Sequence, residues 1–252
     1  MTDILYAGMA MPDTCFLGKR VFKKLFHENA SLGATDKKAF REDIDTITWQ
    51  YTLKPSTIPI QAYEDDQREY HEVALLHVDL KTQRRTVRIA EIMHRAIPYP
   101  LVIVLAHEKM RAVSSAHKRF SQAEKGAIVA EDFVFTDWID LVKPTKTQKD
   151  FMASLATSAL PHTHFLAFYS AIVDRLVALN CSRLTGEYRL EAEADNRREQ
   201  RKRLATCHDL EGRIEELRNK IKKETQFNRQ VELNVKMKEL EKELEVRIEE
   251  LG

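Results

Sequence analysis

The spacing of hydrophobic positions changes along the chain, and each change marks an element. Between Gly18 and Thr46, Val21/Leu25 and Phe22/Phe26 recur every fourth residue, and Phe40, Ile44 and Ile47 follow Thr35 and Asp36. That spacing predicts two short helices, the second capped at Thr35 or Asp36. Residues Ile47 to Leu53 (ITWQYTL) are β-branched and aromatic and stop at Pro55, as a strand does. From Glu72 to Leu80 the pattern alternates, putting Ala74, Leu76, Val78 and Leu80 on one buried face. Arg84 to Ala96 returns to helical spacing through Val87, Ile89, Ile92, Met93 and Ala96, closed by Pro98. The unbroken run Leu101 to Ala106 (LVIVLA) predicts a central strand, because such runs need cover on both sheet faces. Strand, helix, strand in that order is a βαβ-like unit. Extended segments near Met110 to Ala116 and Ala127 to Phe135 complete the sheet as a hairpin-like edge. Residues 1–142 therefore read as an α/β domain, with a mixed sheet of about five strands and flanking helices.

A Lys- and Thr-rich stretch around Pro144 then opens a helical linker region over 143–184, with helices at Gln148 to Ala159 and, after Pro161, at His162 to Asn180. Past Gly186 only Gly212 interrupts a run free of Gly and Pro that reaches Gly252. Over 185–252 this predicts one long charged coiled-coil helix; from Glu187 to Leu251 it would span about 95 Å at about 1.5 Å per residue. Its apolar seam steps by three and four through Leu204, Cys207, Leu210, Ile214, Leu217 and Ile221. Continuing that register meets Glu224, Asn228, Val231 and Val235, whereas the last turns use Leu233, Met237, Leu240, Leu244, Ile248 and Leu251. The seam slips once, between Lys222 and Asn234. A slip there is compatible with a stutter in one continuous helix, with Asn228 fixing register, or with a break that lets the arm fold back; the silence of Gly and Pro favours the first. A seam so long exceeds what a domain of this size can cover, so a second copy or another protein is the expected partner. Leu210, Ile214, Leu217, Ile221, Phe227, Asn228, Val231, Leu233, Met237, Leu240 and Leu244 are its candidate partner-binding residues.

Composition narrows the classes. At 252 residues and 43% hydrophobic the chain can bury one core and carry an extension. A net charge of +1 gives bulk electrostatics no demand for nucleic acid or an anionic membrane. Cys15, Cys181 and Cys207 are far apart, with no CxxC spacing, and read as reduced packing thiols of a cytoplasmic protein. The N-terminus lacks the basic start and apolar stretch of a secretory signal, and Asp174 and Arg175 interrupt Phe165 to Leu179, so no membrane span is expected.

Candidate chemistry is sparse. Asp79-Leu80-Lys81 ends a strand, and an Asp and a Lys two apart share a face, as restriction-type nucleases need to hold Mg²⁺ and steady a water. With Glu72 upstream this is the low-ranking catalytic candidate; the commoner meaning of the pattern is the polar side of an amphipathic strand. His77 shares that face, whereas His162 and His164 read as surface or capping groups. GxSxG, GxGxxG, Walker-type and HExxH motifs are absent, and neither a cofactor nor a metal is expected. Arg84, Arg85 and Arg88, with Lys118, Arg119 and Lys125, are candidate phosphate contacts that leave DNA open as a partner. Arg197 to Arg203 lies among glutamates and reads as a solvated face.

Three segments, Ile221 to Glu239 (IKKETQFNRQVELNVKMKE), Ile97 to Leu105 (IPYPLVIVL) and Ile47 to Ile58 (ITWQYTLKPSTI), resemble a prokaryotic family, the domain of unknown function 4391. The resemblance runs from about Arg20 to the end and carries over no catalytic residue. It implies an α/β domain with a coiled-coil tail, encoded beside helicases and DNA methyltransferases of restriction-like antiphage islands. The expectation is a non-catalytic accessory subunit of such an assembly, dimerising or docking a helicase or methyltransferase through its arm. The alternatives are a metal-dependent nuclease using Asp79 and Lys81, and a self-assembling scaffold with no nucleic-acid role.

Overall fold

A computed structural model describes residues 3–29, 32–123 and 126–251, with side chains left out of the description at 27–29. The chain forms two compact units, Met1–Leu176 and Val177–Gly252.

The first unit is built on a mixed seven-stranded sheet. Its strands are β1 (Phe16–Arg20), β2 (Ile44–Leu53), β5 (Val73–Leu80), β6 (Leu101–His107), β7 (Met110–Phe120) and β8 (Ile128–Phe135) in the order β1-β2-β5-β6-β7-β8, with β9 (Ile139–Asp140) beside β7. A separate two-stranded hairpin, β3 (Tyr63–Glu64) and β4 (Glu69–Tyr70), occupies the acidic loop. β5 and β6 are the parallel pair, registered from Ala74↔Leu101 to Asp79↔Ala106, and helix α4 (Thr86–Ala96) makes the crossover between them. The βαβ reading and the central place of LVIVLA are thus what the structure contains. β1 and the first helix, α1 (Ile4–Met9), have too few periodic positions to stand out in the sequence.

Each sheet face has its own helical cover. On one side α2 (Lys23–Asn29), α3 (Ala34–Glu42) and α4 bury Phe26, Phe40, Ile89 and Met93 against Ala74, Leu76, Val78, Ile103 and Leu105. Gly33, not Thr35 or Asp36, stands at the N-cap of α3; Asp36 lies in the first turn and turns to Arg88. Val87, expected on the buried face of α4, is 52% exposed because the core-facing arc is already filled by Ile89, Ile92 and Met93. On the other face lie Leu75 and Val102, which with Met9, Leu155, Phe168 and Ile172 line a residual cavity of about 10 Å³. These residues come from α1, from the end of α5 (Lys146–Ser154) and from α6 (Phe165–Thr185). The stretch expected as a linker is therefore largely core: Phe151, Phe165, Phe168 and Tyr169 are fully buried. The Tyr169 hydroxyl accepts from Ala116 N at 3.0 Å and donates to the carbonyl of Leu101 or Ala116, at 2.8 and 2.9 Å. Helix α6 is long and apolar enough to cross a membrane, but its most apolar window is 72% buried inside the protein, as a core helix is.

The second unit departs from the expected continuous helix. Gly186, at φ 81°, ends α6, and residues 187–193 run without regular structure. Two helices follow, α7 (Ala194–Lys223) and α8 (Phe227–Glu249). They run antiparallel: Arg218 meets Glu241 at 3.0 Å, and Arg203 donates to the carbonyl of Glu250. The break falls inside the stretch where the seam slips. Glu224 turns extended (ψ 134°), its carboxylate accepts from the N–H groups of Thr225 and Gln226 at 2.8 and 2.9 Å, and the Gln230 amide donates to its carbonyl at 2.6 Å. These bonds serve backbone groups that a helix end leaves open, so neither Gly nor Pro is needed to turn the chain.

Candidate functional site

Open α/β sheets place ligands beyond the carboxyl ends of their parallel strands, and Asp79 stands at that end of β5. Its face carries a hydrogen-bonded row. The Tyr6 hydroxyl on α1 donates to His77 Nδ1 at 2.7 Å, in the tautomer that leaves Nε2–H for Asp79 Oδ1 at 3.2 Å, while Thr46 on β2 donates to Asp79 Oδ2 at 2.5 Å. Beside it Arg111 Nε donates to Asp3 Oδ2 at 2.7 Å, and Asp3 also caps α1 by accepting from Leu5 N at 3.0 Å. The hydrogen bond from His77 holds the Asp79 carboxyl below its ordinary range, against burial and with help from Thr46. Burial, reinforced by Asp3, pushes the Tyr6 phenol well above its ordinary range. The order phenol, imidazole, carboxylate is that of an activated-nucleophile relay, but a phenol held so firmly protonated is a tie. It fastens α1 to the sheet.

The nuclease constellation is not drawn together here. Glu72 immediately precedes β5 and Asp79 lies near its far end, seven residues on, about 23 Å along an extended strand. Lys81 lies past the strand, where its backbone N–H donates to Asp43 O at 2.8 Å; burial first, and then the charge of Lys81, lowers the pKa of Lys23. Asp79 is held by the hydrogen bonds from His77 and Thr46, and the charge of Arg111 acts on it. Among the described residues no group of three or more His, Cys, Asp or Glu side chains is placed to hold a metal ion. His164 accepts from Ala167 N at 3.1 Å at the start of α6, the capping role expected of it.

The basic candidates are mostly committed inside the fold. Arg85 donates to Asp43 at 2.6 Å, Arg88 grips Asp36 with two bonds of 2.9 Å, and Arg119 donates to Glu131 at 2.6 Å. Lys118 is a correction, because it is 2% exposed and cannot face a phosphate. Its ammonium donates to the carbonyls of His94 and, at 2.7 Å, Ile97 at the end of α4, and burial pulls its pKa down to about 7. Arg84 is exposed and enters no such ion pair among the described residues; Lys125 lies outside them.

The partner-binding candidates divide between the two sides of the C-terminal hairpin. Leu210 and Ile214 are buried, and Leu217, Ile221, Leu233, Met237, Leu240 and Leu244 are half-buried, so this part of the seam is covered by the hairpin within one copy. Asn228 is exposed in the first turn of α8. Phe227, Val231, Val235 and Val246 are 75, 46, 52 and 53% exposed. They form a second apolar row on α8, on the side away from Leu233, Met237, Leu240 and Leu244, as 3.6 residues per turn requires.

The family model described as "Domain of unknown function (DUF4391)" matches residues 9–244. No curated protein and no solved structure matches the chain. The chain belongs to the DUF4391 family.

Proposed function

We propose that, as a member of this family, the protein is a non-catalytic accessory subunit of a prokaryotic DNA-targeting defence assembly, and that its C-terminal hairpin is the surface by which it joins that assembly. The observation that supports this reading is the uncovered row Phe227, Val231, Val235 and Val246 on α8. An exposed apolar row on a helix already packed on its other side costs solvation in the isolated chain and is relieved when a partner covers it. The partner class, a helicase or DNA methyltransferase, comes from the genomic setting that the family resemblance implies. The committed arginines and the buried Lys118 argue against a broad phosphate-binding face on the α/β unit.

Co-expression with a helicase and a DNA methyltransferase of the kind the family resemblance implies tests the reading. Co-purification should be lost in a chain ending near Arg183, and retention of the partner by that shortened chain removes the hairpin from the interface. Mg²⁺-dependent plasmid cleavage by the purified protein, abolished by Lys81→Ala, would instead establish the nuclease alternative.

A further inference from the structure

The outer row of α8 has an internal symmetry that selects its occupant. Phe227 and Val246, Val231 and Lys242, and Val235 and Lys238 are three pairs of positions that share one midpoint, between Lys236 and Met237. Val246 lies eleven residues, close to three turns, beyond Val235, so all six positions fall on one side of the helix. We propose that this row is a self-association surface, on which α8 of a second copy packs antiparallel about a two-fold axis at that midpoint, joining two hairpins into a four-helix bundle. The inference rests on the reading above that the hairpin is the joining surface and places a second copy of this chain on this row, so that the hairpins would enter the assembly as a pair.

An isologous interface must be complementary to itself, and in this register it is. Phe227 meets Val246 of the second copy, and no lysine of the row is placed level with another lysine. Lys242 and Lys238 instead lie over Val231 and Val235 of the second copy, where their methylene stems cover the valines and their ammonium groups reach the rim. Glu232 of the second copy falls within one residue of the level of Lys242, and Glu239 flanks Lys242 from its own helix, so one ammonium serves two carboxylates. Those charges are uncommitted in the single chain: Glu232, Lys238, Glu239 and Lys242 are exposed and enter no ion pair among the described residues, whereas Arg218–Glu241 and Arg247–Glu250 are already made.

Sedimentation velocity of the full chain over a concentration series tests this, with circular dichroism as the control for folding. The expected result is a monomer–dimer equilibrium that Val231→Glu weakens by about 100-fold or more without loss of helix, since Val231 is exposed in the single chain. Glu232→Lys and Lys242→Glu should each weaken it by about tenfold, and the two together in one chain should restore it, because the swapped charges meet again across the axis. With Phe227→Cys and Val246→Cys introduced on separate chains, oxidation should link the two chains to each other rather than like with like. A monomer at every concentration, a dimer indifferent to Val231→Glu, or a charge swap that fails to recover would each overturn the inference. A chain that stays monomeric yet still co-purifies with a helicase or methyltransferase through its hairpin would overturn self-association alone and leave the docking reading in place.

Discussion

Phe40 and Phe227 are chemically alike and live under opposite conditions. Phe40 is fully buried, its ring 5.3 Å from that of Phe26 in a core closed by α2, α3, α4 and the sheet; Phe227 leaves three-quarters of its surface in solvent. The contrast extends to the units around them. A sheet with helices on both faces can hide every apolar residue of its central strands, and a polar group buried there can be answered from within, as the Tyr169 hydroxyl answers Ala116 and Leu101. Two helices in a hairpin can each cover only one side of the other. Since α8 is apolar on two sides, one of them is left over whatever the packing of the first. Residual apolar surface thus follows from element number as much as from composition.

Substitutions in the two units put numbers on that difference. Phe40→Ala should lower the unfolding free energy by about 3–5 kcal/mol, followed in urea by the fluorescence of Trp49 and Trp138, both in the α/β unit. Phe227→Ala should change helical stability by no more than about 0.5 kcal/mol, and equal losses at the two sites would break the comparison. Tyr169→Phe, which strips one hydroxyl from between β6 and β7, should cost about 1–3 kcal/mol by the same melt. Lys118 supplies a pH signature of the buried unit. Its folded pKa is depressed to about 7 from 10.5, so between those values the unfolded chain binds more protons and stability rises with pH. The urea midpoint should therefore climb from pH 7 upward and flatten near the unfolded value, and Lys118→Met should remove that slope. A flat profile in the unsubstituted protein would show that the carbonyls of His94 and Ile97 offset burial entirely. In the hairpin, Arg218→Ala, which removes an exposed pair with Glu241, should likewise have a small effect, a cost of less than about 1 kcal/mol in a thermal melt.

Legibility in the sequence followed the range of the physics. The strands β5 and β6 and the helix α4 announce themselves because burial on a sheet face repeats every second residue and on a helix face every third or fourth. The row on β5 was only half visible. His77 and Asp79 share a face by strand geometry alone, but Tyr6, Thr46 and Arg111 reach it from other elements, and no local pattern foretells a contact between Asp3 and Arg111. The slipped seam did mark the end of α7, yet the signal that turns the chain there is Glu224 accepting from its own following N–H groups, a role any glutamate in a charged helix is equipped for. The same ambiguity hid Lys118, whose neighbours Arg119 and His117 make it look like part of a basic surface.

Position 8 carries a consequence well beyond its size. A methyl group there would sit 2.7 Å from the carbonyl oxygen of Met152, closer than two such atoms can approach, and backbone does not swing aside as a side-chain tip does. Any larger residue would lift the opening helix off its bed and stretch the phenol-to-imidazole bond at Tyr6 that depends on that closeness. A single missing carbon thus decides whether the amino-terminal turn is clasped or hangs loose, and a random mutagenesis screen for stability should find this small position as intolerant as any bulky one in the interior.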